Sequence, residues 1–275
     1  MDFDASRQFA VALDADDPLR GFRDEFNLPQ PRNGNSCIYL CGNSLGLQPR
    51  QAVRLVDEEL EDWGKLGVLG HLQARRPWLP YHRQAAKGIA ELTGARLHEV
   101  VTMNTLTVNL HLMMTSFYRP TPQRRKILIE STAFPSDRFA VMSQLQLHGG
   151  DPGTDLIEWS PRKGEAELHA SDLAKVLADH GHSIALMLLP GVQYYSGQVL
   201  DMPELCRLAR DTGCHIGLDL AHAIGNVPLE LHDWAPDFAV WCSYKYLNAG
   251  PGAIGGVFVH ERHLRETSTS VAALD

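Results

Sequence analysis

The sequence predicts an α/β fold: a mostly parallel sheet flanked by helices in three αβα layers, preceded by an N-terminal helical arm. Lys126-Ile127-Leu128-Ile129-Glu130 is a near-continuous apolar run, the pattern of a strand buried on both faces of a parallel sheet. The segments after it alternate between strand and helix: strand 156–159, helix 172–180 ended by Gly181, strand 184–189, then a helix signposted by Asp201, Pro203, Glu204 and Gly213. Two later apolar strands end on residues with chemistry, Asp219 and Lys245, at the carboxyl ends where ligands of open α/β sheets collect.

Taken in order, residues 6–26 read as an amphipathic helix broken at Asp16-Asp17-Pro18, and a loop rich in Pro, Asn and Gly follows from Pro29 to Asn35. Ile38-Tyr39-Leu40 reads as a short strand leading into the tight turn Cys41-Gly42-Asn43-Ser44-Leu45-Gly46. Val53, Val56, Leu60 and Trp63 recur at helical spacing, and a second helix runs from about Tyr81 to Leu92 before Gly94. The linker between them, Gly67 to Pro80, reads as a loop carrying His71, Arg75, Arg76 and Trp78. Strand 100–103 leads to Asn104 or Thr105 as the N-cap of a helix striped by Leu106, Leu110, Met113 and Phe117. Free N–H groups at such a terminus bind a phosphate readily.

Strand 126–130 delivers Phe134-Pro135-Ser136-Asp137, where Ser136 or Asp137 can cap a helix starting near Arg138. Tyr194 and Tyr195 either line a pocket or pack. Gly256 to His260 reads as a last strand, antiparallel to a neighbour because its connection is short.

A chain of 275 residues, 44% hydrophobic and 21% charged, can bury a real core as one large domain or as a large and a small one. The formal charge of −8 without a basic stripe argues against a nucleic-acid or anionic-membrane partner. Five cysteines, without paired Cys-x-x-Cys units, read as reduced thiols and not as a metal site. The N-terminus lacks an apolar signal core and no run is long enough to span a bilayer, so a cytoplasmic protein is expected.

Lys245 stands where an apolar strand breaks into the glycine-rich turn Asn248 to Gly252. Burial there disfavours its ammonium form and favours a nucleophilic amine; alternatively the side chain snorkels to solvent. Asp219 can pair with a cationic ring nitrogen, or simply cap the turn that follows it. The two strand ends together favour a carbonyl cofactor.

The chain resembles the kynureninase family of pyridoxal-phosphate hydrolases, within the fold-type-I aminotransferase superfamily. The residues that carry the resemblance run from Leu40-Cys41-Gly42-Asn43-Ser44-Leu45-Gly46-Leu47 through Arg76-Pro77-Trp78 and Met103 to His111, then Phe134-Pro135-Ser136-Asp137, Asp219-Leu220-Ala221-His222 and the lysine segment. The resemblance implies a fold-type-I large domain over residues 51–263, an arm and loop over 1–50, and pyridoxal 5′-phosphate as cofactor. It implies hydrolysis of L-kynurenine or 3-hydroxykynurenine to anthranilate or 3-hydroxyanthranilate and L-alanine, in tryptophan catabolism and NAD biosynthesis, by a homodimer.

By the same resemblance, Lys245 is the Schiff-base lysine and moves the α-proton, while Asp219 keeps the cofactor ring protonated. Leu106 and Thr107 hold the phosphate, Phe134 stacks on the ring, Asp137 contacts the ring or its neighbours, and His222 holds its 3-oxygen side or orders water. Tyr244 binds phosphate or relays a proton, and His71 and Ser44 touch the substrate. Residues 264–275 diverge from the family, and its C-terminal small domain is expected to be absent, as in a truncated chain. The alternatives are another fold-type-I enzyme, such as a cysteine desulfurase or an aminotransferase, or an inactive form that only associates with a partner copy.

Overall fold

The computed structural model describes residues 3–30, 34 and 37–264. The expected tail from residue 265 onward lies outside the described residues.

Helix α1 (Arg7–Asp16) is capped by the Ser6 hydroxyl, which accepts from the Phe9 amide at 3.2 Å, and it buries no residue. The arm forms at the expected place and stays outside the core. It is followed by a two-strand ladder, β1 (Phe26–Asn27) with β2 (Gln48–Pro49). The strand expected at 38–40 is absent. Ile38 and Leu40 are 83% and 84% exposed with no neighbouring strand to pair with, and an extended segment without a ladder partner is not a strand.

Helix α2 (Arg50–Leu66) forms as its periodicity predicts, but its apolar stripe faces outward: Val53, Val56, Leu60 and Trp63 are 51–66% exposed. The acidic face is the one held inward. Glu59 accepts from Arg76 Nε and, at 3.0 Å, from Trp78 Nε1, Glu58 accepts from Arg76 at 2.9 Å, and buried Asp62 accepts from the Arg75 amide at 2.7 Å. These bonds fold the 67–80 stretch onto α2, so part of it is helical, α3 (Gly70–Gln73), instead of the loop expected. Helix α4 (His82–Thr93) ends on Gly94 in the left-handed region, as its position predicts.

The core is a seven-stranded sheet of β3 (Val100–Thr102), β4 (Lys126–Glu130), β5 (Leu156–Trp159), β6 (Ile184–Pro190), β7 (His215–Asp219), β8 (Phe238–Trp241) and β9 (Gly256–Val259), in the order β3-β9-β8-β7-β6-β4-β5. Strands β5, β4, β6, β7 and β8 are parallel neighbours; β9 is antiparallel to both β8 and β3, as its short connection requires. Helices α5 (Leu106–Phe117) and α6 (Pro135–Leu147) cover one face, packing Leu110, Met114, Val141 and Leu145 on Ile127, Ile129 and Leu188. Helices α8 (Ala170–His180) and α9 (Met202–Thr212) cover the other, with Leu173, Leu205 and Ala209 on Leu128, Leu189 and Leu218. Alternate residues of each strand serve opposite cores, which is why the strands read as unbroken apolar runs. Two one-turn helices complete the set, α7 (Pro152–Asp155) and α10 (Leu231–Trp234).

One buried carboxylate ties the β7 and β9 ends together. Asp237, 5% exposed, accepts from the Ile216 amide at 2.7 Å, from Arg262 and His263 at 2.8 Å, and lies 3.0 Å from His215 Nδ1. Burial pushes its carboxyl up, but the hydrogen bonds from His215, His263 and Arg262 outweigh this and hold it well below the usual carboxylate range. Asp237→Asn leaves the Arg262 guanidinium without its charge partner and is expected to cost about 3 kcal/mol in urea unfolding at pH 7. Because the folded pKa is depressed, this contribution is present above the unfolded value of ~4 and lost as pH falls further. An unchanged urea midpoint at pH 7 would show that the cluster is only ornamental.

Candidate active site

The parallel strands deliver their carboxyl ends to one edge of the sheet, and there a cleft of about 690 Å³, solvent at its mouth included, opens between β4, β6, β7 and the segment after β8. Leu106, Thr107, Phe134, Asp137, Asp219, His222, Tyr244 and Lys245, eight of the ten site residues expected from the sequence, line it together.

Lys245 is half-buried rather than enclosed. Its Nζ stands 5.8 Å from the centre of the Phe134 ring and 6.0 Å from that of Tyr244, within cation–π range of both. The Phe134 ring meets Tyr194 edge-on at 5.1 Å, so these two aromatics form one wall. Of the two roles open to Tyr194, lining a pocket or packing, it takes the first. Gln193 fixes that wall: its amide donates to the Thr132 carbonyl at 2.9 Å and its side-chain oxygen accepts from the Tyr195 and Ser196 amides at 2.6 and 2.9 Å.

The floor is acidic. Asp219, at the end of β7, accepts from the Ala221 amide at 2.8 Å, so it does cap the turn that follows. Asp137 is 7% exposed and accepts from Ser136 at 3.3 Å. It does not cap a helix near Arg138. Pro135 starts α6, fixing its first turn, and places Asp137 inside that turn with its side chain in the cleft. Burial raises the Asp137 carboxyl well above its usual value, and the facing Asp219 carboxyl raises it further. A third acid, Glu130 at the end of β4, is 4% exposed and lines the same floor. Burial, with Asp219 adding to it, pushes its carboxyl up to about 8. Sequence reading passed over Glu130, although the signal was there: an acid ending a buried strand, as Asp219 does.

At the opposite end, Thr105 caps α5, its hydroxyl accepting from the Val108 amide at 3.5 Å. The amides of Leu106 and Thr107 sit in the first turn, where no carbonyl of the helix can accept from them. Gly255 lies against this turn; a Cβ there would meet the Trp241 carbonyl oxygen at 2.3 Å and the Leu106 nitrogen at 3.3 Å. Tyr244 is pushed up to about 12, by burial first and then by Cys242, so its phenol keeps its proton and is a donor. His222 is lowered by burial and by the Lys245 charge, against Asp219, which favours the neutral ring.

Ser44 and His71 do not line the cleft. Ser44 is exposed, although its turn docks on the lysine segment: the Gly46 amide donates to the Tyr244 carbonyl at 2.8 Å, and a Cβ on Gly46 would meet the Lys245 carbonyl oxygen at 2.2 Å. His71 is exposed on α3, edge-on to Trp78 at 5.6 Å.

A second cluster of ligand types, Glu99, His232 and His260, lies apart from the cleft. His260 has both ring nitrogens engaged, Nε2 on the His232 carbonyl at 3.2 Å and Nδ1 accepting from the Arg262 amide at 3.1 Å, and its ring lies parallel to that of His232. Parallel rings do not aim their lone pairs at one ion, so the cluster works as a clasp between β3 and the turn after β9.

The family model described as Aminotransferase class-V matches residues 38–271. Relatives named kynureninase are 56% identical over 261 residues in Myxococcus xanthus, 51% over 264 in Koribacter versatilis and 53% over 269 in Nematostella vectensis, covering 95%, 96% and 94% of this chain. The chain spans only 61%, 62% and 58% of the length of those relatives. Among solved structures, a cystine C–S lyase in complex with cysteine persulfide aligns with a TM-score of 0.69 at 19% identity, over 82% of this chain and 57% of that one. An apo cysteine desulfurase from Thermococcus onnurineus NA1 aligns with a TM-score of 0.67 at 20% identity, over 95% and 59%. At such identities these two likenesses speak to the fold alone.

Proposed function

The chain belongs to the aminotransferase class-V family, and on that premise we propose that it binds pyridoxal 5′-phosphate in this cleft and hydrolyses L-kynurenine or 3-hydroxykynurenine to anthranilate or 3-hydroxyanthranilate and L-alanine. One observation carries the reading: among the described residues a single amine, Lys245, lines one cleft together with the acids Glu130, Asp137 and Asp219, the Phe134 ring and the first turn of α5. The name shared by the relatives, at 51–57% identity over about 95% of this chain, chooses the substrate.

The residues fit the cofactor. Leu106 and Thr107 would hold its phosphate through otherwise unpaired amides and the Thr107 hydroxyl, with the protonated Tyr244 phenol as a further donor. Asp219 and Asp137 would take its ring nitrogen, Phe134 would cover a ring face, and neutral His222 would stand beside the ring oxygen or a water. When bound, the cofactor supplies an electron sink for the carbanion next to the substrate amino group. Lys245 holds the cofactor and then moves the α-proton as base and acid.

Residues 51–263 are the cofactor-binding unit in this reading and 1–50 its arm. The outward stripe of α2 supports self-association, since apolar patches of that kind mark contact surfaces. A homodimer is therefore proposed, and a monomer in sedimentation at micromolar concentration would refute it. His71, outside the cleft of its own chain, and Ser44 could touch substrate only where a second copy or loop closure brings them in. Free thiols at all five cysteines support the cytoplasm as compartment, and no helix among the described residues is long and apolar enough to cross a membrane.

The test is to incubate the chain with excess pyridoxal phosphate and L-kynurenine and to follow anthranilate by its fluorescence. Anthranilate release supports the reading. No release, from a chain that binds the cofactor while a longer relative is active in the same buffer, removes the assigned activity and leaves only the cofactor face.

A further inference from the structure

We propose that Glu130 is a third member of the acid nest that receives the ring-nitrogen end of the cofactor, and that its carboxyl sets how strongly that end is held. The proposal rests on the cofactor reading above. Its ground is geometric. Glu130 ends β4, one strand removed from Asp219, because β6 lies between β4 and β7 in the sheet. Asp137 starts from the loop that leaves β4, so all three carboxyls reach the same floor.

The groups around Glu130 can be named from each side. Asp219 and His222 come from β7 and its turn, Asp137 and Ser136 from α6, and Lys245 with Tyr244 from the segment after β8. From β5, Glu158 is engaged by Arg138, and the Glu130 partner in register is Trp159. β6 contributes only Leu188, Leu189 and Pro190 to the cleft. Among the described residues, no Lys, Arg or His forms an ion pair with Glu130, Asp137 or Asp219; Lys245 stands over the Phe134 ring.

Two buried acids, Glu130 and Asp137, beside the Asp219 carboxyl resist ionising, because burial and each neighbouring charge raise the cost of the next. At neutral pH the nest holds protons, and Glu130 is one of the holders. A cation arriving at the floor changes that balance: the O–H of Glu130 gives its proton to solvent, and the resulting carboxylate adds to the field that holds the ring N–H⁺. Glu130 is thus a positioning residue, acting on the ring through the charge of the nest. Below its pKa it contributes little; above it, a full negative charge.

The experiment measures pyridoxal phosphate affinity of the full chain and of Glu130→Gln from pH 6.5 to pH 9, by the absorbance of the bound cofactor. Gln keeps the shape and cannot ionise. The ratio of the two dissociation constants is expected near one at the acid end and to grow to about tenfold weaker binding in the variant at the alkaline end. Effects of pH on the cofactor and on Lys245 are common to both proteins and divide out. A ratio that does not change with pH, however large, would overturn the proposal and leave Glu130 a structural residue. Glu130→Asp, still ionisable, should restore the pH-dependent ratio.

If Glu130→Gln does not fold, infrared spectra of the wild-type chain still decide. Part of the buried-acid carbonyl band should fade as pH passes about 8 while the share of the more strongly raised Asp137 persists, and a band that loses no intensity between pH 7 and pH 9 would refute the protonated state of Glu130. A wild-type chain that takes up no pyridoxal phosphate would instead overturn the cofactor reading, and this role for Glu130 with it.

Discussion

Given the proposed reaction, Lys245→Ala is expected to abolish anthranilate release, by at least about a thousandfold, and with it the borohydride-reducible link that the proposal places between cofactor and protein. Among the described residues, Lys245 is the only amine lining the cleft. Both tasks assigned to it, attachment of an aldehyde and movement of a proton, need a primary amine that can lose its charge. Lys245→Arg is therefore an informative companion: it keeps a cation near Phe134 and Tyr244 but cannot deprotonate or attack, so it should be as inactive as the alanine variant. Because Lys245 is half-buried and makes no buried ion pair, neither change should shift the urea midpoint much. If Lys245→Arg turned over kynurenine at the wild-type rate, the lysine would have no part in the chemistry.

Glu130→Gln is expected to make the ligand-free protein more resistant to urea at pH 8 than the wild type, with the difference largely gone at pH 5. Burial raises the Glu130 carboxyl from the unfolded value of 4.5 to about 8. The stability of a group raised in this way is fully present below the unfolded value and lost as pH climbs through the folded one. A shift of that size corresponds to about 3–5 kcal/mol between pH 4.5 and pH 8, a large part of the total for a domain. Gln carries no proton to lose and escapes the penalty. The readout is the difference between the two proteins at each pH, since Asp137, raised for the same reason, follows the same trend in both. A difference that stays constant from pH 5 to pH 8 would mean that Glu130 is already ionised in the folded chain.

A protein that holds several buried acids without a cation stores instability at its cleft, as functional sites often do. A cation entering the floor relieves it. Ligand-free and cofactor-loaded protein should thus respond to alkaline pH differently, and the acid nest supplies the reason.

The sheet strands and most of the helices were legible because their signals are local. An apolar run such as Lys126–Glu130 can be buried only between two layers, Asp201 with Pro203 and Gly213 brackets one helix, and a short return to Gly256 can only be antiparallel. Eight of the residues expected at the site meet in one cleft for a related reason: they sit at strand ends and a helix start, and a parallel sheet gathers all its carboxyl ends on one edge. Ile38 to Leu40 misled because a strand needs a partner, and no local pattern says whether one is near. The outward stripe of α2 misled because periodicity tells which residues share a face but not which face is covered; here the paired Glu59, Arg76 and Trp78 decide it.

The sequence by itself thus determined the seven strands of the main sheet and the long helices between them, and the lysine, the aspartates and the helix start that meet in the cleft. Only the tertiary structure decided that Glu130 joins Asp137 and Asp219, that Lys245 is half-exposed, and that His71 stands elsewhere. Charge state and burial are set by neighbours across the sheet order β4-β6-β7, dozens of residues apart in the chain, and no local pattern carries that distance.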